Sequence, residues 1–196
     1  MPENTTTRQR RQRVDAQRNA DALLEAAKTA FATSGVDVPA KEIAALAGVG
    51  VGTLYRHFPR RSHLIVAVLQ REIDACAAAG PAFSATHEPT GALAQWLHRY
   101  TEFVATKQGL ATALHSGDPA FDALPGYFWE RLGPVLTDLL DTATSAGEIR
   151  ADINAKDLLT AVALLCHPAP DTGPAYSQRM VGLLVDGLRN TEQARP

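Results

Sequence analysis

Pro39-Ala-Lys-Glu-Ile-Ala-Ala-Leu-Ala-Gly-Val-Gly-Val-Gly-Thr-Leu-Tyr-Arg-His-Phe58 passes from one short helix into another. Proline suits the first helical position, so a helix should open at Pro39 and continue through Ile43 and Leu46. Ala47-Gly48-Val49 breaks it after about two turns, and a further helix, Val51 to Phe58, ends before Pro59. Two short helices joined by a glycine turn are the signature of a helix-turn-helix. In the second of them Val51, Leu54 and Phe58 fall at helical spacing, an inward face expected to pack on Ile43, Leu46 and the first helix of the chain. The opposite side carries Gly52, Thr53, Tyr55, Arg56 and His57, a set of donors and flat rings with one residue small enough for close backbone approach.

A helix of this width fits the major groove of double-stranded DNA, where Thr53 can meet a thymine methyl or a base edge and Arg56 a guanine. Tyr55 and His57 suit phosphates, which position a helix without reading sequence, and Arg60 and Arg61 just beyond point the same way. Each side chain taken singly has a plainer reading, as packing or as a solvated charge. Together with the turn they point to DNA.

Outward from this motif the whole chain reads as helix, since apolar residues recur every three or four positions and no alternating strand pattern occurs. The class is all-α, with about nine helices. The first should run from about Arg18 to Ser34, with Leu23, Leu24, Ala27 and Phe31 on one side and Gly35 as its cap. A fourth, Arg61 to about Ala79, is stopped by Gly80-Pro81, and the domain joint is placed within or just after it, giving domains 1–64 and 65–196. Further helices follow at Thr90 to Lys107, Leu110 to His115, and Tyr127 to Ala146 with Gly147 as cap. Asn154 with Asp157 forms a capping pair opening a helix to about Cys166, ended by Pro168 and Pro170, and the last helix runs from Pro174 to Asn190.

The 196 residues are 45% hydrophobic and 20% charged, a globular balance, and no apolar run approaches the ~18 residues that span a bilayer, so no membrane partner is expected. Met1 to Asn19 holds five arginines with no apolar stretch behind them, unlike a secretory signal, which places the protein in the cytoplasm. Cys76 and Cys166 lie in neither a CxxC nor a CxxH spacing, which suggests two buried apolar residues rather than a disulfide or zinc site. Charge is uneven: residues 1–63 hold ten Lys/Arg against six Asp/Glu, a net of +4, and residues 64–196 hold nine against fifteen, a net of −6. Only the first part is therefore suited to a polyanion. Arg8, Arg10, Arg11 and Arg13, read as lying before the first helix, are either an arm for the adjacent minor groove or a solubilising tail. The six histidines are dispersed, and neither HExxH nor a nucleophile elbow occurs, so no catalytic residue, metal or cofactor is expected and the chain is not read as an enzyme.

Glu42 to Phe58 closely resembles the pattern of the tetracycline-repressor (TetR) family: an Ile-Ala pair, an Ala-Gly-Val turn, then Gly-Thr-Leu-Tyr-x-His-Phe. The resemblance covers the first third of the chain. Beyond it the length and helix order match, but the shared motifs are weak, such as Ala146-Gly-Glu-Ile-Arg-Ala-Asp152. It implies a transcriptional repressor with Val51, Gly52 and Thr53 near bases and Tyr55, His57 and Arg61 near phosphates. The sequence departs from the family where Val38-Pro39 replaces the hydroxyl residue that often opens the second helix. Arg60 and Ser62 likewise stand where the family usually has a hydroxyl cap and a glutamate.

For the remainder the resemblance implies a helical domain that senses a ligand and forms a homodimer. Trp96, Tyr100 and Phe103 share one face of the fifth helix, and Phe128, Trp129 and Leu132 lie on the seventh. These residues either wall a pocket for a small, mainly apolar effector, with His115 or His167 as polar handle, or are simply core. Leu158 to Cys166 is apolar nearly all round, and the last helix is broadly apolar. The family pairs its last two helices across a two-fold axis, which would put Leu158, Val162, Leu165, Val181, Leu184 and Leu188 in the dimer interface. Two recognition helices about one DNA turn apart, roughly 34–36 Å, would read a palindromic operator. On this reading the effector shifts the fourth helix and releases the operator. The alternative is a dimeric DNA-binding regulator with no small-molecule effector, whose C-terminal domain docks a protein antagonist or only dimerises.

Overall fold

A computed structural model describes residues 3–167 and 174–190. Nine α-helices follow one another, and no β-strand occurs among the described residues: α1 (Glu3–Ser34), α2 (Ala40–Leu46), α3 (Val51–His57), α4 (Arg61–Ser84), α5 (Pro89–Gly109), α6 (Ala111–Leu114), α7 (Leu124–Ser145), α8 (Ala155–Leu165) and α9 (Pro174–Leu188). A 3-10 turn, Pro119–Phe121, lies between α6 and α7. The all-α expectation holds. Pro168 and Pro170, read above as ending a helix, lie outside the described residues.

The chain divides into two compact units, and the division falls inside α4. The first comprises residues up to Leu69 together with Gln108–Asp122, so α6 and the 3-10 turn belong to it; the second comprises Gln70–Lys107 and the described residues from Ala123 onward. In the first unit α1, α2 and α3 pack on one another. Leu23, Ala27, Phe31, Ile43 and Leu54 are buried there, as are Leu64, Ile65 and Val68 of α4. In the second unit α8 packs between α7 and α9.

Two helices run further than apolar periodicity indicates. α1 begins at Glu3 rather than near Arg18, because the stretch from Glu3 to Leu23 is free of glycine and proline and rich in Arg and Gln, which favour helix without offering an apolar stripe. Arg8, Arg10, Arg11 and Arg13 are thus carried on helical backbone rather than on an arm preceding it. α4 continues through Gly80-Pro81 to Ser84. Proline removes one helical hydrogen bond, but the surroundings hold the helix in register. Trp96 Nε1 of α5 donates to the Cys76 carbonyl at 2.9 Å, and Gly80 is buried where a Cβ would lie 2.3 Å from Val135 Cγ1 of α7. Arg99 of α5 closes the same face of α4 with an ion pair to the buried Glu72 at 3.1 Å.

The Asn154 to Asp157 capping pair is present: Asn154 Oδ1 accepts the Asp157 backbone N–H at 2.8 Å. The weak motif Ala146 to Asp152 acquires a physical role. Gly147 takes a left-handed backbone (φ 73°) that ends α7. Glu148 then accepts the Thr90 N–H at 2.8 Å, placing a carboxylate at the positive start of α5. Ile149 is buried, and Asn190 donates to the Gly147 and Ile149 carbonyls, tying the end of α9 to the same corner.

Gly80→Ala should therefore destabilise the protein. Overpacking against the stiff Val135 costs ~1–3 kcal/mol, and the better helix propensity of alanine offsets only ~1 kcal/mol of it. Thermal denaturation should show a lower midpoint for Gly80→Ala, and recovery in the double variant with Val135→Ala.

Candidate nucleic-acid interface

α2 closes with two nested hydrogen bonds, Gly48 N–H to the Ala45 carbonyl at 3.1 Å and Val49 N–H to the Ala44 carbonyl at 3.0 Å. Gly48 supplies the left-handed backbone this ending needs (φ 68°). Gly50 then accepts the Thr53 N–H at 2.8 Å and starts α3. Pro39, at the cap position of α2, makes no side-chain cap bond, in keeping with the missing hydroxyl noted in the sequence.

α3 turns roughly 100° per residue, so the direction opposite its buried Leu54 falls between Gly52 and Arg56. Val51 and Tyr55 lie to one side of that line, Thr53 and His57 to the other. Gly52, Tyr55 and Arg56 are exposed, while Thr53 and His57 are half-buried. The His57 ring packs beside Phe58, and its Nε2 is covered with no hydrogen-bond partner among the described residues.

The inward face is narrower than expected. Leu54 is buried and Phe58 half-buried, but Val51 is 40% exposed. As the first residue of α3 its side chain tilts toward the helix N-terminus and projects past the packing surface. Leu46, expected inside, is 63% exposed. The buried side of α2 lies between Ile43 and Ala44, and Leu46 sits roughly 110° away from it.

Of the two arginines beyond α3, both are exposed, but Arg61 is already engaged. Its guanidinium donates to the Val36 carbonyl and, at 2.6 Å, to the Val38 carbonyl, bracing the turn between α1 and α2. Asp118, from the segment after α6, belongs to the same unit. Hydrogen bonds from the Ala120 N–H and the Ser62 hydroxyl, with the charges of Arg60 and His63 nearby, hold its carboxyl below the usual range.

In the second unit the expected aromatic residues do meet. Trp96 stacks on Tyr100 (5.9 Å between ring centres), Tyr100 on Phe103 (5.9 Å), Phe103 on Phe128 (5.7 Å), and Phe128 meets Trp129 edge-on (5.3 Å). Trp96, Tyr100, Phe103 and Leu132 are buried, Phe128 is half-buried and Trp129 is partly exposed. The two expected polar handles are placed differently. His115 belongs to the first unit, and His167 is exposed, with the Nδ1 of each ring turned back to a carbonyl of its own segment, Ala111 and Ala163 respectively. Tyr100 is the polar group within the cluster, its hydroxyl 3.5 Å from the Leu159 carbonyl, a long and weak bond. Burial pushes its phenol above the ordinary value, and burial likewise pushes the Cys76 thiol up to about 12. Both cysteines are buried and unbridged, as their spacing suggested.

On α8 and α9 the expected interface residues Leu158, Val162, Val181 and Leu188 are buried within the chain itself, and Leu165 and Leu184 are half-buried. The apolar side chains turned outward are Leu164 and Leu183, each 65% exposed. Helical spacing alone could not have separated the two sets, because α8 is apolar on nearly every side and only its neighbours decide which side is covered. Among the described residues no group of three His, Cys, Asp or Glu is placed to hold a metal ion, and no helix is long and apolar enough to cross a membrane.

Residues 23–68 match the family model described as bacterial regulatory proteins, tetR family, and residues 88–190 match the transcriptional regulator SbtR-like C-terminal domain. A TetR transcriptional regulator of Streptomyces coelicolor is similar in structure, with a TM-score of 0.73 and 36% identity over 88% of this chain and 99% of that one. A TetR transcription regulatory protein of Mycobacterium vanbaalenii aligns with a TM-score of 0.69 and 33% identity over 91% and 99% of the two chains. An HTH-type transcriptional regulator of Staphylococcus aureus is 41% identical over 63 residues, which is 32% of this chain and 34% of that protein. The chain thus spans about a third of the length of the curated relatives it matches.

If Arg61 acts as a brace, Arg61→Ala should cost about 1 kcal/mol of stability, a fall in melting midpoint of roughly 2–4 °C, whereas Arg60→Ala should leave the midpoint within about 1 °C. Calorimetry on the two variants separates the roles.

Proposed function

Because the chain belongs to the TetR family of bacterial regulatory proteins, we propose that it is a repressor that binds a palindromic DNA operator as a homodimer and is released by a small, mainly apolar effector. The observation that carries the DNA reading is the exposed side of α3, where Gly52, Tyr55 and Arg56 face outward in the more basic part of the chain. Gly52 admits the backbone to the groove, Val51, Thr53 and Arg56 meet base edges, and Tyr55, His57 and Arg60 contact phosphate. His57 serves phosphate by a small ring rotation that uncovers Nε2, and Arg61 contributes by holding the α1 to α2 turn.

Dimerisation uses the outward leucines of α8 and α9. Leu164 and Leu183 form the centre of the contact, flanked by Leu165 and Leu184, while Leu158, Val162, Val181 and Leu188 support it from behind. The effector enters at the aromatic cluster by way of Phe128 and Trp129, the members that solvent reaches, and the weakly bonded Tyr100 hydroxyl serves as polar handle. Its uptake shifts α4, which begins at Arg61 directly after Arg60, and so lowers operator affinity by the effector's differential affinity for the two states. A second reading is favoured by the ring contacts that close Trp96, Tyr100 and Phe103 on one another: a dimeric regulator that takes no small molecule.

Genome-wide mapping of bound DNA should yield a palindrome, and Arg56→Ala should weaken binding to it by ~1–3 kcal/mol, roughly fivefold to 150-fold. Lysine at both positions 164 and 183 should convert the dimer to a folded monomer in light scattering. Both tryptophans of the chain lie in the aromatic cluster, so an effector should change intrinsic fluorescence on titration. A compound that does so yet leaves operator affinity unchanged disproves the release mechanism.

A further inference from the structure

Seven large apolar side chains are exposed among the described residues, and three of them, Leu46, Val51 and Tyr55, lie within ten positions around the turn between α2 and α3. Leu23, Ile43, Leu54, Leu64, Ile65 and Leu110 of the same unit are buried, which sets Leu46 and Val51 apart from these large aliphatic side chains. Leu46 is kept outside by the geometry of α2, whose seven residues bury only Ile43 and Ala44, and by the ending at Gly48, which turns the chain away immediately after it. Val51 is kept outside by its place at the start of α3.

The surroundings decide what can cover these groups. Arg56 is exposed beside Tyr55 on the same helix, Arg60 follows one turn later, and the segment to residue 63 carries a net charge of +4. Two exposed aliphatic groups in a stretch of chain that also exposes arginines suit a partner that is anionic overall yet offers isolated methyl groups at close range. In the major groove of DNA those groups are the C5-methyls of thymine.

We propose that Leu46 reads thymine through its C5-methyl group beside Val51, whose base contact is already part of the function proposed above, making Leu46 a specificity-determining residue beside the recognition helix. This rests on the DNA reading given above. Arg56 supplies a polar contact to a base edge, and the aliphatic pair supplies discrimination that no hydrogen bond provides. Each methyl covered is worth about 0.8 kcal/mol, or roughly a threefold to fivefold change in affinity.

The experiment enriches duplexes from a random pool on the full-length chain, resynthesises the selected duplex with deoxythymidine or with deoxyuridine, which lacks only the methyl, and measures both affinities. Wild-type protein is expected to lose roughly threefold to fivefold per methyl on deoxyuridine substitution at one or more positions. Leu46→Ala, at an exposed site that leaves the fold intact, is expected to bind the thymidine duplex more weakly and to lose part of that penalty. Equal affinity of the wild type for the two duplexes overturns the inference while leaving DNA binding standing. A penalty undiminished in Leu46→Ala overturns the assignment to this residue, as does a change in oligomeric state in that variant, which would make the patch a contact between copies. Failure to enrich any duplex overturns the DNA reading itself and this inference with it.

Discussion

Two helices of seven residues do not persist in water by themselves, because isolated helices shorter than ~12–15 residues are marginal. α2 and α3 exist because Ile43, Ala44 and Leu54 are covered within a unit whose floor is α1, with Leu23, Ala27 and Phe31 buried there. The left-handed turn at Gly48 sets their mutual direction, and the Arg61 guanidinium holds the carbonyls of the turn that delivers the chain from α1 to α2. Since so few side chains are needed inside, most of α3 stays available, and that economy is what frees Gly52, Tyr55 and Arg56 for a ligand.

The second unit solves a different problem. Its helices are long and apolar, and polar groups fix their register. Trp96 bonds the Cys76 carbonyl beside Gly80, Arg99 pairs with Glu72, and the Glu148 carboxylate sits on the first turn of α5. These contacts explain how α4 keeps its course past Pro81: proline forfeits one hydrogen bond, and close packing on both sides of Gly80 outweighs the loss. Within that frame the aromatic rings of α5 and α7 stack into a single cluster.

Gln108–Asp122 lies in sequence between two parts of the second unit but belongs by contact to the first. Asp118 marks the attachment, bonded to Ser62 and close to Arg60 and His63 at the start of α4. The carboxylate thus stands close to Arg60, which the DNA reading assigns to phosphate, and whatever moves this segment alters the charge balance there.

Much of this was legible in the residues themselves. The glycine turn, the short helices around it, the Asn154 to Asp157 cap and the all-α class follow from local rules, because turns and caps depend on atoms a few residues apart. The expected aromatic residues were also found in order along α5 and α7. Local rules failed where a neighbour decides. Apolar periodicity started α1 too late, since polar residues extend a helix without a stripe, and stopped α4 too early, since the partner that shelters Gly80 lies more than fifty residues away in sequence. Whether Leu46 or Val51 faces inward, whether Arg61 reaches outward or braces a turn, and which leucines of α8 and α9 remain uncovered depend on which surface another helix occupies. One-dimensional spacing names the apolar side chains; only the packed chain determines which of them are left for a partner.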